Sequence, residues 1–237
     1  AFAAGVCAQG GQVVLSGPLP TPGIAFVTQS MRADAGVMIS ASHNKFSDNG
    51  IKIFDSKGDK LPDAVEKELE DLILNPKQMN VCQDGDLGNA KRLKEVFGRY
   101  VVHVKSAVAK QTDFNGLKVV LDCANGAGYI VGPTMLSELG ADVVVTGDKP
   151  NGFNINEGCG AMHPEHLAQV VRESRADVGI ALDGDADRLV MVDEYGEVVD
   201  GDKLMGVLAV HLKNQGTLKG KGMVATVMSN QGLDEYM

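Results

Sequence analysis

A chain of 237 residues, 44% hydrophobic and 22% charged, has the composition of a folded globular protein and excludes a disordered or collagen-like one. Its formal net charge of -9 leaves no basic footprint for nucleic acid, so an anionic ligand would need local cations or a metal. Cys7, Cys82, Cys123 and Cys159 form no CxxC pair, which argues against structural zinc and fits a reducing cytoplasm; no apolar run suits a membrane span.

Residues 1–8 read as the tail of a helix stopped by Gly10-Gly11 rather than as a signal peptide, and a start inside a helix predicts a fragment. A short strand is expected over residues 12–15, then a turn-rich stretch to Gly23, a helix over 24–30 and a buried strand over 36–40. Residues 41–49 have loop composition, and 51–54 return as a strand. Asp63 is placed to cap a helix with Val65, Leu69, Leu72 and Ile73 on one face, closed by Pro76. A second long helix is expected over 93–109, with Val96, Tyr100, Val104 and Val108 on one side.

After Asn115-Gly116 the pattern alternates. Strands are expected over 119–122, 142–146, 178–182 and 189–193, with helices over 129–139 and 164–175. Such alternation predicts an α/β fold with a mixed, largely parallel sheet flanked by helices. Gly201-Asp202 begins a further helix with Met205, Leu208 and Leu212 as its apolar stripe, and residues 223–227 read as a strand.

Two loops carry the chemistry. Asp183-Gly184-Asp185-Ala186-Asp187-Arg188 lies between two apolar strands, and its three carboxylates at alternate positions can converge on one hard cation. Asp183, Asp185, Asp187 and Glu194 also fit the ligand spacing of a calcium EF-hand, but Arg188 stands where that loop requires glycine, and the flanks read as strands. A phosphatase with an aspartate nucleophile at a strand end is left open by this loop alone. The other loop runs from Ser40 to Lys52 and gathers Ser42, His43, Asn44 and Lys45 in one turn. A serine at a strand end can take a phosphoryl group if a neighbour accepts its proton, although Ser40 and Ser42 share a face of an extended segment and spacing cannot choose between them.

Ser40-Ala41-Ser42-His43-Asn44, followed by Asp48-Asn49-Gly50-Ile51-Lys52, closely resembles the phosphoserine signature of the α-D-phosphohexomutase family. Residues 183–188 resemble the same family's metal loop, in the right order and at the right separation. Residues 122–127, 150–156, 199–202 and 228–230 are similar to the branch of the family that acts on glucosamine phosphates; mannose or glucose phosphates are the alternative. Lys45 stands where many relatives carry proline, and Ala161 where serine is common.

The resemblance implies consecutive α/β domains: a truncated first domain over 1–107, a second over 108–201 and the beginning of a third over 202–237. It also implies a phosphosugar substrate and a magnesium ion, one per active site, held by Asp183, Asp185, Asp187 and the phosphoserine at Ser42. A sugar 1,6-bisphosphate would serve as intermediate and activator. Arg188 would bind phosphate, and Lys52 or His43 would be the general acid and base. Lys52 is the first choice, on the expectation that a nearby cation and a closed cleft lower its pKa. The family's sugar-recognition loop and phosphate clamp have no counterpart here, so little turnover is expected of the chain by itself. No nucleic-acid or membrane partner is implied.

Overall fold

The computed structural model describes residues 1–75, 82 and 84–236. Its largest element is a five-stranded sheet of β5 (Lys118–Asp122), β6 (Asp142–Thr146), β7 (Val178–Leu182), β8 (Leu189–Asp193) and β9 (Val198–Val199), in the order β6-β5-β7-β8-β9. β6, β5 and β7 are parallel, whereas β8 and β9 are antiparallel, so the sheet is mixed. Side chains alternate across its plane. Val120, Ala181 and Val192 turn to one face and meet Leu167, Ala168 and Val171 of α6 (Pro164–Ser174). Val119 and Leu121 turn to the other and meet Leu136 of α5 (Val131–Glu138). Leu167, Val171 and Val192 are fully buried, each contributing roughly 1.5–3 kcal/mol of apolar burial.

The N-terminal part holds α1 (Phe2–Ala8), β1 (Val13–Leu15), α2 (Thr21–Ser30), β2 (Ala35–Ser40), β3 (Gly50–Asp55), α3 (Asp63–Leu74), β4 (Ala90–Arg92) and α4 (Val96–Lys105). β1 pairs with β4 in parallel, and β2 with β3 in an antiparallel hairpin. Their core is Leu19, Ile24, Met38, Val96, Tyr100 and Val101, and it is shared with Val131 of α5. α4 therefore joins the two halves. Val96, Tyr100 and Val104 lie on the face expected, but the helix stops at Lys105 and Val108 falls outside it.

Other expectations fail for want of a partner. Asp63 is the first residue of α3, not its cap; Pro62 precedes it and no side chain caps the helix. Val65, Leu72 and Ile73 stay exposed because no element among the described residues covers that stripe, and Pro76 lies outside the described residues. In α7 (Gly201–Asn214) the buried residues are Gly206 and Ala209, with Gly206 facing Leu233 and Tyr236 of α8 (Gln231–Tyr236), while Leu208 and Leu212 are exposed. Residues 223–227 form no strand: Val224 and Val227 are fully exposed, and no neighbouring edge is there to complete a ladder. Among the described residues no helix is long and apolar enough to cross a membrane.

At the carboxyl end of β5, the buried Asp122 accepts the Ala124 N–H at 2.9 Å and the Gly160 N–H at 2.8 Å, one on each carboxylate oxygen. An amide at this position would turn an N–H group toward one of those donors. Asp122→Asn is therefore expected to cost about 2 kcal/mol, read as a lower midpoint of urea unfolding, because a buried donor is left unmet.

Candidate active site

Two hairpin loops meet beyond the carboxyl ends of β5 and β7. Residues 41–49 link β2 to β3 after the Ser40–Gly50 pair, and residues 183–188 link β7 to β8 after the Leu182–Leu189 pair. A crevice at the carboxyl ends of parallel strands is where open α/β sheets bind ligands. Within the first loop, Ser42 takes a φ of 54° and its N–H donates to Ser40 Oγ at 2.9 Å. That bond separates the two serines. The Ser40 hydroxyl is tied to the loop's own backbone, while the Ser42 hydroxyl faces the second loop.

Ser42 Oγ accepts from Arg188 Nη2 at 3.1 Å and donates to Asp185 Oδ1 over a longer 3.4 Å. The same Arg188 nitrogen is hydrogen-bonded to His43 Nδ1. Arg188 Nε lies 3.3 Å from Asp183 and 3.7 Å from Asp187, which aims the guanidinium at the serine. From β3, Lys52 Nζ donates to Asp185 Oδ2 at 2.6 Å and to Asp187 Oδ2 at 3.3 Å. All seven of these side chains are candidates in the sequence, and the fold brings them together.

Asp183, Asp185 and Asp187 each present an oxygen within 4.8 Å of the others. Asp183 and Asp185 are buried and Asp187 is exposed. Asp183 Oδ1 accepts the N–H groups of Asp187 and Arg188, at 3.2 and 3.1 Å. Its Oδ2 is buried and, among the described residues, makes no hydrogen bond, with Arg188 Nε 3.3 Å away. Three carboxylates gathered this closely repel one another unless cations share them. This all-oxygen set fits a hard divalent ion.

The local electrostatics are uneven. Burial, reinforced by the charges of Asp185 and Asp187, raises the pKa of Asp183 against the opposing backbone N–H of Arg188. Burial also acts to raise Asp185, but hydrogen bonds from Lys52 and Thr21 outweigh it and hold that carboxyl below its ordinary value. For Lys52 the expected direction is reversed. Burial works against its charge, yet Asp185 and then Asp187 prevail and hold it above the ordinary lysine value. The lysine was expected beside a cation; it stands here as the cation beside two carboxylates.

Four contributors carried no sequence signal of their role. Thr21, the first residue of α2, donates its hydroxyl to Asp185 Oδ2 at 2.8 Å and its N–H to the Asp185 carbonyl at 2.9 Å. Asn156 reaches across to the Ser42 loop. Gly126 and Gly184 lie in the turns after β5 and β7 and, by lacking a Cβ, give the loops room to touch. Three histidines are engaged elsewhere. His163 pairs with Glu165, His166 with Thr146, and His103 stacks on Phe26. Burial pushes the Cys123 thiol up to about 12 and the Cys159 thiol to about 11, so neither supplies a thiolate near neutral pH.

Family models for phosphoglucomutase/phosphomannomutase α/β/α domains I, II and III match residues 1–80, 98–196 and 200–237. A phosphoglucosamine mutase of Sulfurovum sp. (strain NBC37-1) is 62% identical over 100% of this chain and 54% of its own length. The chain thus spans about half the length of the curated relatives it matches. A phosphoglucomutase/phosphomannomutase family protein from Burkholderia thailandensis superposes with a TM-score of 0.75 at 24% identity, over 91% of this chain and 47% of that one. An N-acetylphosphoglucosamine mutase from Aspergillus fumigatus, solved with glucose 1,6-bisphosphate, gives 0.51 at 20% identity, over 82% and 51%.

Proposed function

The chain belongs to the phosphoglucomutase/phosphomannomutase family, and we propose that its Ser42 carries the phosphoryl group in a phosphoglucosamine mutase reaction. The reaction interconverts glucosamine 6-phosphate and glucosamine 1-phosphate through the 1,6-bisphosphate. The observation that carries this reading is the Ser42 hydroxyl itself. It lies within hydrogen-bonding distance of both Arg188 and Asp185, in a loop well over a hundred residues away. The 62% identity to a phosphoglucosamine mutase favours glucosamine over mannose or glucose phosphates. The Aspergillus enzyme's bisphosphate complex supports the intermediate. In the same reading the domains divide at 107/108 and 201/202, whereas the matched second and third segments begin at 98 and 200.

Phosphoryl transfer depends chiefly on positioning and on stabilising charge. Arg188 holds two jobs: it orients the Ser42 oxygen, and its planar fork suits the oxygens of a phosphoryl group there. Asp183, Asp185 and Asp187 would hold magnesium, which would supply charge neutralisation of the transferring group. Lys52, which reaches Asp185 and Asp187 from β3, is the first candidate for general acid and base. His43, bonded to the same guanidinium, is the alternative for the proton taken from the attacking sugar hydroxyl.

The test is peptide-mapped mass spectrometry after incubation with magnesium and glucosamine 1,6-bisphosphate. Phosphate is expected on the Ser42 peptide of the parent chain and on no peptide of Ser42→Ala. Phosphate on Ser40, or equal uptake by Ser42→Ala, would overturn the assignment.

A further inference from the structure

We propose that Asn156 is a positioning residue that holds the Ser42 loop in the conformation from which the Ser42 hydroxyl reacts; this rests on the reading of Ser42 as the phosphoryl carrier. Asn156 is only 7% exposed, although its neighbours in the 149–154 stretch face solvent. Its side-chain nitrogen donates to two carbonyls of the other hairpin loop, Ser42 at 2.9 Å and Asn44 at 2.8 Å. Its own N–H donates to the Ala124 carbonyl at 2.9 Å, and Ala124 is in turn held by Asp122 at the end of β5. A continuous chain of hydrogen bonds therefore runs from the sheet to the backbone on either side of His43.

Ser42 needs such support. Its φ of 54° lies in the left-handed region, where a serine costs roughly 1–3 kcal/mol unless its surroundings fix it. A Ser42 released to negative φ would turn its carbonyl away from Asn156 and swing its hydroxyl off Arg188 and Asp185. The contacts beside Asn156 act in the same sense. Phe153 meets Phe46 edge to face with ring centroids 5.2 Å apart, and Ile155 packs where Gly184 admits the Ser42 carbonyl. Asn156 itself sits at φ 57°, a conformation that asparagine tolerates better than most residues.

Two variants separate positioning from folding. Asn156→Gly accepts the positive φ but removes the amide, whereas Asn156→Asp keeps the shape and sets an oxygen against two carbonyl oxygens. Both are expected to slow phosphate uptake at Ser42 from saturating glucosamine 1,6-bisphosphate by about ten- to a hundredfold, with the half-saturating donor concentration unchanged. Amide hydrogen exchange at residues 42–44 should quicken in both, while the strands of the five-stranded sheet keep their protection. Parental uptake rates in both variants, or unchanged exchange at residues 42–44, would overturn the proposal. If the full-length protein also takes up no phosphate, the phosphoserine reading is defeated instead, and the exchange measurement would still decide whether Asn156 holds the loop.

Discussion

Asp185→Asn is expected to weaken magnesium binding about a hundredfold or more and to cut phosphate uptake at Ser42 by about 10²–10³-fold, without unfolding the chain. The size follows from Coulomb's law at contact distance. Removing one of three carboxylate charges beside a divalent ion costs at least several kcal/mol at protein-like dielectric, and each 1.4 kcal/mol is a factor of ten. The fold should survive because Asn can still accept from Thr21 through its carbonyl oxygen, and because one of three mutually repelling charges disappears. Lys52 donates to that same oxygen, so its hydrogen bond survives without the acceptor's charge, and the lysine is 38% exposed, where water makes up much of the difference. Isothermal titration with magnesium chloride, paired with urea unfolding of the same variant, measures both halves. Unchanged magnesium affinity in a folded Asp185→Asn chain would put the ion elsewhere and leave the unmet Asp183 oxygen without an explanation.

Four of the five strands of the large sheet are legible because their sequences record burial against neighbouring strands and helices, whereas β9, two residues at the sheet edge, leaves no such run. Val119 to Asp122 and Val178 to Leu182 read as apolar runs and fold as such. Residues 223–227 read the same way and do not form a strand, because a ladder needs a second edge that composition does not reveal. The site was legible in its residue types but not in its wiring. Ser40 and Ser42 share a face, and only the bond from the Ser42 N–H to Ser40 Oγ distinguishes them. Thr21 meets Asp185 across 164 positions of sequence, where no local pattern reaches. The direction of the Lys52 shift is of the same kind: its sign depends on which charges the fold brings nearest, here Asp185 and Asp187, and that is a matter of three-dimensional packing.

Gly126→Ala is expected to lose about 3 kcal/mol of stability, the sum of an overpacked contact and one backbone hydrogen bond. A Cβ on Gly126 would fall 2.6 Å from the Gly184 Cα and closer still to the Gly184 carbonyl oxygen, which is the acceptor of the Ala127 N–H at 2.7 Å. These are backbone atoms, so no side chain can rotate out of the way. Gly184 repeats the arrangement one layer on: its added Cβ would meet the Ser42 carbonyl oxygen and lie 2.6 Å from Ile155 Cδ1. The loop after β5, the aspartate loop and the Ser42 loop therefore stack backbone on backbone at two glycines. The same substitution at Gly98 supplies the contrast. Gly98 lies inside α4 with open space where a Cβ would go, so Gly98→Ala should gain about 1 kcal/mol from helix propensity alone. Urea unfolding of the two variants should thus move in opposite directions. Gly126→Ala unfolding at the midpoint of Gly98→Ala would mean that the loops are not in contact, and the distances from Ser42 to Asp185 and Arg188 would lose their meaning with them.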